Sequence, residues 1–162
     1  MLTVIGIDPG LADTGIGVVR GRGMKVDGFA FGSITTPREH PLTERLATIY
    51  AGLTEVLQEE KPDLMIVEDA FSLARYPKSG ITLGKVTGVI LLAGRQANIP
   101  VGEVPVREAK KVLTGNGAAD KAQLEMAVRR FLGAASPIRP FHASDALALA
   151  LIGLFRHHPP PK

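Results

Sequence analysis

Apolar residues fall in short runs whose period changes along the chain. Thr3-Val4-Ile5-Gly6-Ile7 runs into Asp8 and breaks at Pro9-Gly10, which predicts a buried strand over 3–8 followed by a turn through Asp13. Gly15 to Arg20 predicts a second strand and Lys25 to Thr35 a third, with Gly21-Arg22-Gly23 as the hairpin connection. From Pro41 the period lengthens: Leu42, Leu46, Ile49, Leu53, Val56 and Leu57 recur at helical spacing up to Pro62. Leu64 to Glu68 reads as a fourth strand, Ala70 to Ser79 as a polar irregular stretch, and Gly80 to Ala97 as a helix. A fifth strand over Pro100 to Val106 follows, then a short helix (Arg107–Leu113) and a Gly-rich turn (Thr114–Ala118). A helix over Asp120–Leu132, a loop over 133–140 and a last helix over Phe141–Arg156 complete the series. The expected architecture is α/β: a meander of three antiparallel strands, then parallel strands through right-handed crossovers, giving a five-stranded mixed sheet flanked by helices. The first and fourth strands can then be parallel neighbours. Asp8 and Glu68 would emerge together at the C-terminal end of the sheet, where open α/β folds place their sites.

Composition narrows the classes. A chain of 162 residues with 45% hydrophobic and 22% charged residues suits one globular domain, here 1–156, with residues 157–162 and their Pro159-Pro160-Pro161 run as a frayed tail. There are no cysteines, which excludes disulfides, zinc–thiolate sites and thiol nucleophiles. The first residues show no basic n-region or cleavage site, and the longest apolar run, Ala146 to Phe155, is too short to span a bilayer. A cytoplasmic protein is the default expectation. The net charge of +3 is unevenly spread: from residue 107 onward nine Lys/Arg face four Asp/Glu, a local net of +5, while the first 106 residues carry −2. A basic third beside an acidic pocket suits a protein that holds a polyanion and metal ions together, although a surface lysine is usually just solvated.

Three apolar stretches deliver hard metal-ligand side chains: Asp8 and Glu68 at strand ends, and His142 with Asp145 at the start of an apolar helix. An unpaired buried anion costs several kcal/mol, so a carboxylate ending a buried strand calls for a compensating positive charge. Asp8 alone reads equally well as the start of an Asp-Pro-Gly turn. Glu68 shares a strand face with Ile66, on the opposite side from Val67 and Asp69, which is harder to dismiss. His142 and Asp145, three apart, lie on one helix face with Leu149 and Ile152. A capping role for His142 or Ser144, with Asp145 as a favourable first-turn acid, is the plain alternative, but it leaves an inward-facing acid unexplained. Two carboxylates and a His/Asp pair make an oxygen-rich site suited to Mg²⁺ or Mn²⁺, and a pair of such ions suits phosphodiester hydrolysis.

Other features keep two readings each. Gly80, Gly84 and Gly88 stripe one helix, either against the chain's own sheet or across a dimer axis. Phe71 is a core aromatic or a wedge against unstacked bases, and Lys78 nearby is solvated or a backbone contact. Lys110, Lys111 and Lys121, around a Gly turn and a helix start, form a phosphate-holding segment or a simple connection with exposed lysines. The segment is no Walker motif, because the Gly-Lys-Ser/Thr ending is missing.

The series Gly6-Ile7-Asp8-Pro9-Gly10 with Thr14-Gly15, Val67-Glu68-Asp69-Ala70-Phe71, Leu83-Gly84, Lys110 to Lys121 and His142-Ala143-Ser144-Asp145-Ala146-Leu147-Ala148 resembles the RuvC-type crossover junction endodeoxyribonucleases, the bacterial Holliday junction resolvases, across nearly the whole chain. The opening Gly-x-Asp-x-Gly also occurs in sugar kinases and actin-like ATPases, but that architecture needs two such domains. The resemblance implies an RNase H-like fold and a homodimer that nicks opposing strands of a four-way DNA junction in recombination and repair, leaving 5′-phosphate and 3′-hydroxyl ends. It implies two Mg²⁺ ions per subunit, with Mn²⁺ able to substitute, held by Asp8, Glu68, His142 and Asp145, with Asp8 bridging both. His142 stands where some members have Asp. Lys110 and Lys121 match positions that hold DNA near the scissile phosphate, Phe71 matches a stacking aromatic, and the bacterial branch-migration complex is the implied partner. A non-catalytic member of the same fold is the remaining rival, and it would not need the four ligands together.

Overall fold

The computed structural model describes residues 1–69 and 77–157. Five strands, β1 (Leu2–Asp8), β2 (Asp13–Arg22), β3 (Lys25–Thr35), β4 (Leu64–Glu68) and β5 (Val101–Val104), form one sheet in the order β3-β2-β1-β4-β5. β1 pairs antiparallel with β2 and parallel with β4; β2 pairs antiparallel with β3, and β4 parallel with β5. The helices are α1 (Leu42–Glu60), α2 (Pro77–Gln96), α3 (Val106–Thr114), α4 (Lys121–Leu132) and α5 (Phe141–Arg156). The meander followed by parallel crossovers is thus as the periodicity predicts.

Strand alternation sorts the core into two layers. Ile5, Ile7, Ile16, Val18, Met65 and Val67 pack with Ile49, Leu53 and Leu57 of α1 and Val86, Ile90 and Ala93 of α2. Val4, Val19 and Ile66 point the other way, into a cluster with α5 and with Ala109, Leu113, Leu124 and Val128 of α3 and α4. α5 is therefore a buried helix between the sheet and the α3–α4 pair, and every residue from Ala146 to Leu154 is buried. A helix apolar all round, as this one is, belongs inside a fold rather than on its surface.

Boundaries differ from the sequence-based expectation at several places, each for a local reason. β2 extends to Arg22, past a register shift at Arg20/Gly21, so the hairpin turns at Gly23-Met24, where Gly23 takes a φ of 58°. β5 stops at Val104 because Pro105, at the N-cap of α3, has no N–H for the ladder and starts the helix early. α2 begins at Pro77, three residues before the expected Gly80 start. Phe71 and the rest of residues 70–76, with the tail from residue 158, lie outside the described residues. Gly84 and Gly88 are exposed, and a Cβ built on either meets nothing within 4 Å. Packing of these two against the chain's own sheet is therefore ruled out. Among the described residues no helix is long and apolar enough to cross a membrane.

Candidate active site

The parallel pairing of β1 with β4 sets the first two ligand candidates. Ile7 lies opposite Val67, so Asp8 and Glu68 are the next residues on adjacent strands, at the C-terminal edge of the sheet. Both follow residues that contact α5, Gly6 and Ile66, and pleating directs them to that same face.

α5 brings the other two. It lies so close to β1 and β2 that side chains there would not fit. A Cβ on Gly15 would stand 2.5 Å from the carbonyl carbon of His142, and one on Gly17 would stand 2.5 Å from the Leu147 nitrogen. A Cβ on Gly6 would overlap the Ala146 carbonyl. These glycines let the first turn of α5 settle onto the sheet beside Asp8. The Nδ1 of His142 is 2.9 Å from Asp8 Oδ2, a hydrogen bond between the imidazole and the carboxyl group. The N-cap position of α5 is Pro140, without a side-chain cap bond, and the Ser144 hydroxyl is buried. Capping thus accounts for neither His142 nor Ser144.

Asp8, Glu68, His142 and Asp145 line one cavity of about 220 Å³ together with Val106, Lys110 and Lys121. The four ligand candidates, read from positions 8 to 145 of the chain, share one site. Lys110 reaches it from α3, which ends at Gly115 in the left-handed conformation. Lys121 opens α4, whose start is fixed by a capping box: the Asp120 carboxylate accepts from the Gln123 N–H, and Gln123 Oε1 accepts from the Asp120 N–H. Lys111 is exposed and does not line the cavity. Lys78 lines a separate cleft of about 370 Å³ with Leu11, Ser79, Thr82 and Leu83. Val106 is a wall residue that the periodicity places at the end of a strand; only the early start of α3 at Pro105 turns it inward. Asp69 continues the ladder, its N–H donating to the Val104 carbonyl at 2.9 Å.

Crowded carboxyls resist ionising together. Burial, then the hydrogen bond and charge of Asp8, push Glu68 up to about 9, against the pull of Lys110. Burial and then Asp8 push Asp145 up to about 6, with Lys121 and His142 opposing. The Asp8 hydrogen bond also raises the His142 pKa, more than burial lowers it. Three acids that cannot all be charged at neutral pH lack positive charge, which a divalent cation would supply. The donor set of three carboxyls and one imidazole fits Mg²⁺ or Mn²⁺ chemically. Among the described residues no three His, Asp or Glu side chains stand ready as an ion cage, and Glu68 and His142 both engage Asp8 instead. Ligation would exchange those hydrogen bonds for metal bonds.

Residues 4–153 match the family model described as crossover junction endodeoxyribonuclease RuvC. A curated relative of that name from Syntrophomonas wolfei is 40% identical over 94% of this chain and 88% of its own length. Another, from Azorhizobium caulinodans, is 40% identical over 99% of this chain and 93% of its own. Among solved structures, T. thermophilus RuvC in complex with a Holliday junction substrate superposes with a TM-score of 0.89 at 34% identity, covering 96% of this chain and 94% of that one. The yeast mitochondrial Holliday junction resolvase Ydc2, at 12% identity and a TM-score of 0.62 over 94% of this chain and 77% of its own, shares the fold alone. The five-stranded mixed sheet with its flanking helices is the RNase H-like arrangement that the sequence resemblance implies. With a family match over residues 4–153 and curated relatives at 40% identity, the chain belongs to the crossover junction endodeoxyribonuclease RuvC family.

Proposed function

We propose that this chain resolves four-way DNA junctions as a homodimer, by paired metal-dependent nicks that leave 5′-phosphate and 3′-hydroxyl ends. The observation that carries this reading is the convergence of Asp8, Glu68, His142 and Asp145 with Lys110 and Lys121 on one cavity. A non-catalytic member of the fold would not need that combination. In this reading Asp8, Glu68, His142 and Asp145 would hold Mg²⁺ ions, two per subunit and replaceable by Mn²⁺. Bound ions supply an activated water and stabilise the leaving oxygen. Lys110 and Lys121 face the same cavity from two helices, and they would neutralise and orient the scissile phosphate. Lys78 and Lys111 would contact the backbone further out, and Phe71 would stack at the opened junction. Residues 1–156 act as one nuclease domain, with the bacterial branch-migration complex as the partner that delivers the junction.

Support for the homodimer comes from the outer face of α2. Ile81 is 63% exposed and Leu92 51% exposed, with exposed Gly84 and Gly88 between them on the same side of the helix. Apolar groups and bare backbone on one exposed stripe suit close approach by a second copy.

The test is cleavage of a synthetic four-way junction in Mg²⁺ or Mn²⁺, comparing the natural chain with Asp8→Asn. Paired nicks that a ligase reseals, lost by at least about 10³-fold in the variant, are expected. A junction left intact by the natural protein, or cut equally by Asp8→Asn, would overturn the reading.

A further inference from the structure

The structure assigns Glu125 a positioning role: from α4 it holds the loop that leads into α5, and with it the seat of His142 on Asp8. This inference rests on the proposed metal-dependent cleavage and deepens it.

Glu125 is a carboxylate in the apolar layer between α4 and α5, and its side chain is only 4% exposed. Its Oε1 accepts the Ile138 N–H at 2.9 Å, and the Arg129 Nε lies 3.4 Å from the same oxygen. The Arg139 guanidinium lies 3.9 Å from Oε2 and donates to the Ile138 carbonyl at 3.0 Å. The same guanidinium stacks 4.3 Å above the ring of Phe141, the first residue of α5. One side chain therefore gathers α4, both polar groups of the Ile138 backbone (the carbonyl through Arg139) and the first residue of the ligand-bearing helix. Ile138 is itself buried among Leu124 and Val128, so the loop is pinned by packing and by hydrogen bonding at one point.

Two features make this anchor relevant to the site rather than to the fold in general. His142 follows Phe141 directly, and its contact with Asp8 is a single 2.9 Å hydrogen bond that a small tilt of the first turn would break. Lys121, one helical turn before Glu125, lines the same cavity as His142 and Asp145, so Glu125 also sets the spacing between that lysine and α5. Hydrogen-bond partners that orient ligand residues commonly matter as much as 10- to 100-fold in metal affinity or activity.

The experiment compares the natural chain with Glu125→Gln, Glu125→Ala and Arg139→Gln. Thermal melts establish folding, Mn²⁺ binding is measured by electron paramagnetic resonance without DNA, and single-turnover cleavage is measured on a four-way junction. Gln keeps an oxygen for the Ile138 N–H, so Glu125→Gln stays within about threefold of the natural protein in Mn²⁺ affinity. Glu125→Ala weakens Mn²⁺ binding by about 10- to 100-fold and slows cleavage at limiting metal in step. Should Glu125→Ala fail to fold, Arg139→Gln decides, since that side chain is half exposed; roughly a tenfold weaker Mn²⁺ affinity is expected of it. A folded Glu125→Ala that binds Mn²⁺ as tightly as the natural chain overturns the inference, because a purely structural residue would lower the melting temperature and leave affinity alone. Failure of the functional reading looks different: Mn²⁺ affinity follows Glu125 as described, yet the natural protein leaves the junction intact.

Discussion

At the scale of single residues, the site is a balance among three acids, one imidazole and two lysines. Glu68 is raised to about 9 and Asp145 to about 6, so the folded, metal-free protein holds protons that the unfolded chain would release. The sign follows from linkage. Stability from these two carboxyls is complete below about pH 4, the usual carboxylate range, and is lost as pH rises through about 6 for Asp145 and about 9 for Glu68. A Gln at position 68 removes the larger of these penalties. Glu68→Gln is therefore expected to melt above the natural chain at pH 8 in chelator, by on the order of 2 kcal/mol or roughly 4–8 °C, and to lose that advantage at pH 4. Saturating Mn²⁺ reverses the order at pH 8, because the natural chain then gains a ligand-bound state that the variant binds poorly. Scanning calorimetry at the two pH values, with and without metal, reads all of these; a variant that melts lower in chelator at pH 8 contradicts the electrostatic picture.

At the scale of elements, much was legible because the chain announces its strands and helices in plain periodicities. Continuous apolar runs at 3–7 and 64–67 each end in an acid, and that alone pointed to two carboxylates at one sheet edge. The apolar stretch after Asp145 likewise announced a buried helix with an inward-facing acid at its head. What periodicity did not carry was distance. That Gly15 and Gly17 matter because α5 rests on their bare backbones is a tertiary fact, invisible in a local pattern where glycine usually signals a turn. The role of Glu125 was hidden in the same way, since an acid on an amphipathic helix ordinarily faces water. Gly15→Ala should separate seat from scaffold. The added methyl would stand 3.0 Å from the Cβ of His142 and closer still to its carbonyl, so the first turn must lift. The expected cost is about 1–3 kcal/mol of stability, but about 10²-fold in junction cleavage. Gly28→Ala, on the edge strand β3 where a Cβ meets nothing within 4 Å, is the control and should cut at the natural rate. Equal cleavage by both variants would show that the glycine bed does not set the ligand geometry.

At the scale of the molecule, the proposed pair of nicks in opposing strands at matched positions calls for two active sites held in a fixed relation. A twofold axis solves this: an isologous contact places the same patch of both copies against each other and fixes the two sites symmetrically. The patch must be exposed in one copy and able to come close, and Ile81, Gly84, Gly88 and Leu92 on the outer face of α2 meet those conditions, with the exposed Lys85 among them. The 20 residues of α2 run about 30 Å, and the stripe from Ile81 to Leu92 covers its middle. Two such helices crossing at Gly84 and Gly88 could bring backbone near backbone, since neither glycine is covered by its own chain. Leu92→Glu puts a charge into that contact while leaving the half-exposed position compatible with the folded subunit. Sedimentation equilibrium is expected to show the natural chain as a dimer and the variant shifted at least about tenfold toward monomer, with the melting transition of the subunit nearly unchanged. If the variant remains as dimeric as the natural chain, the two-site arrangement must be built on another surface. If it becomes monomeric yet still makes paired, symmetric nicks, pairing does not depend on dimerisation at all, and the link drawn between the α2 stripe and the chemistry fails at its first step.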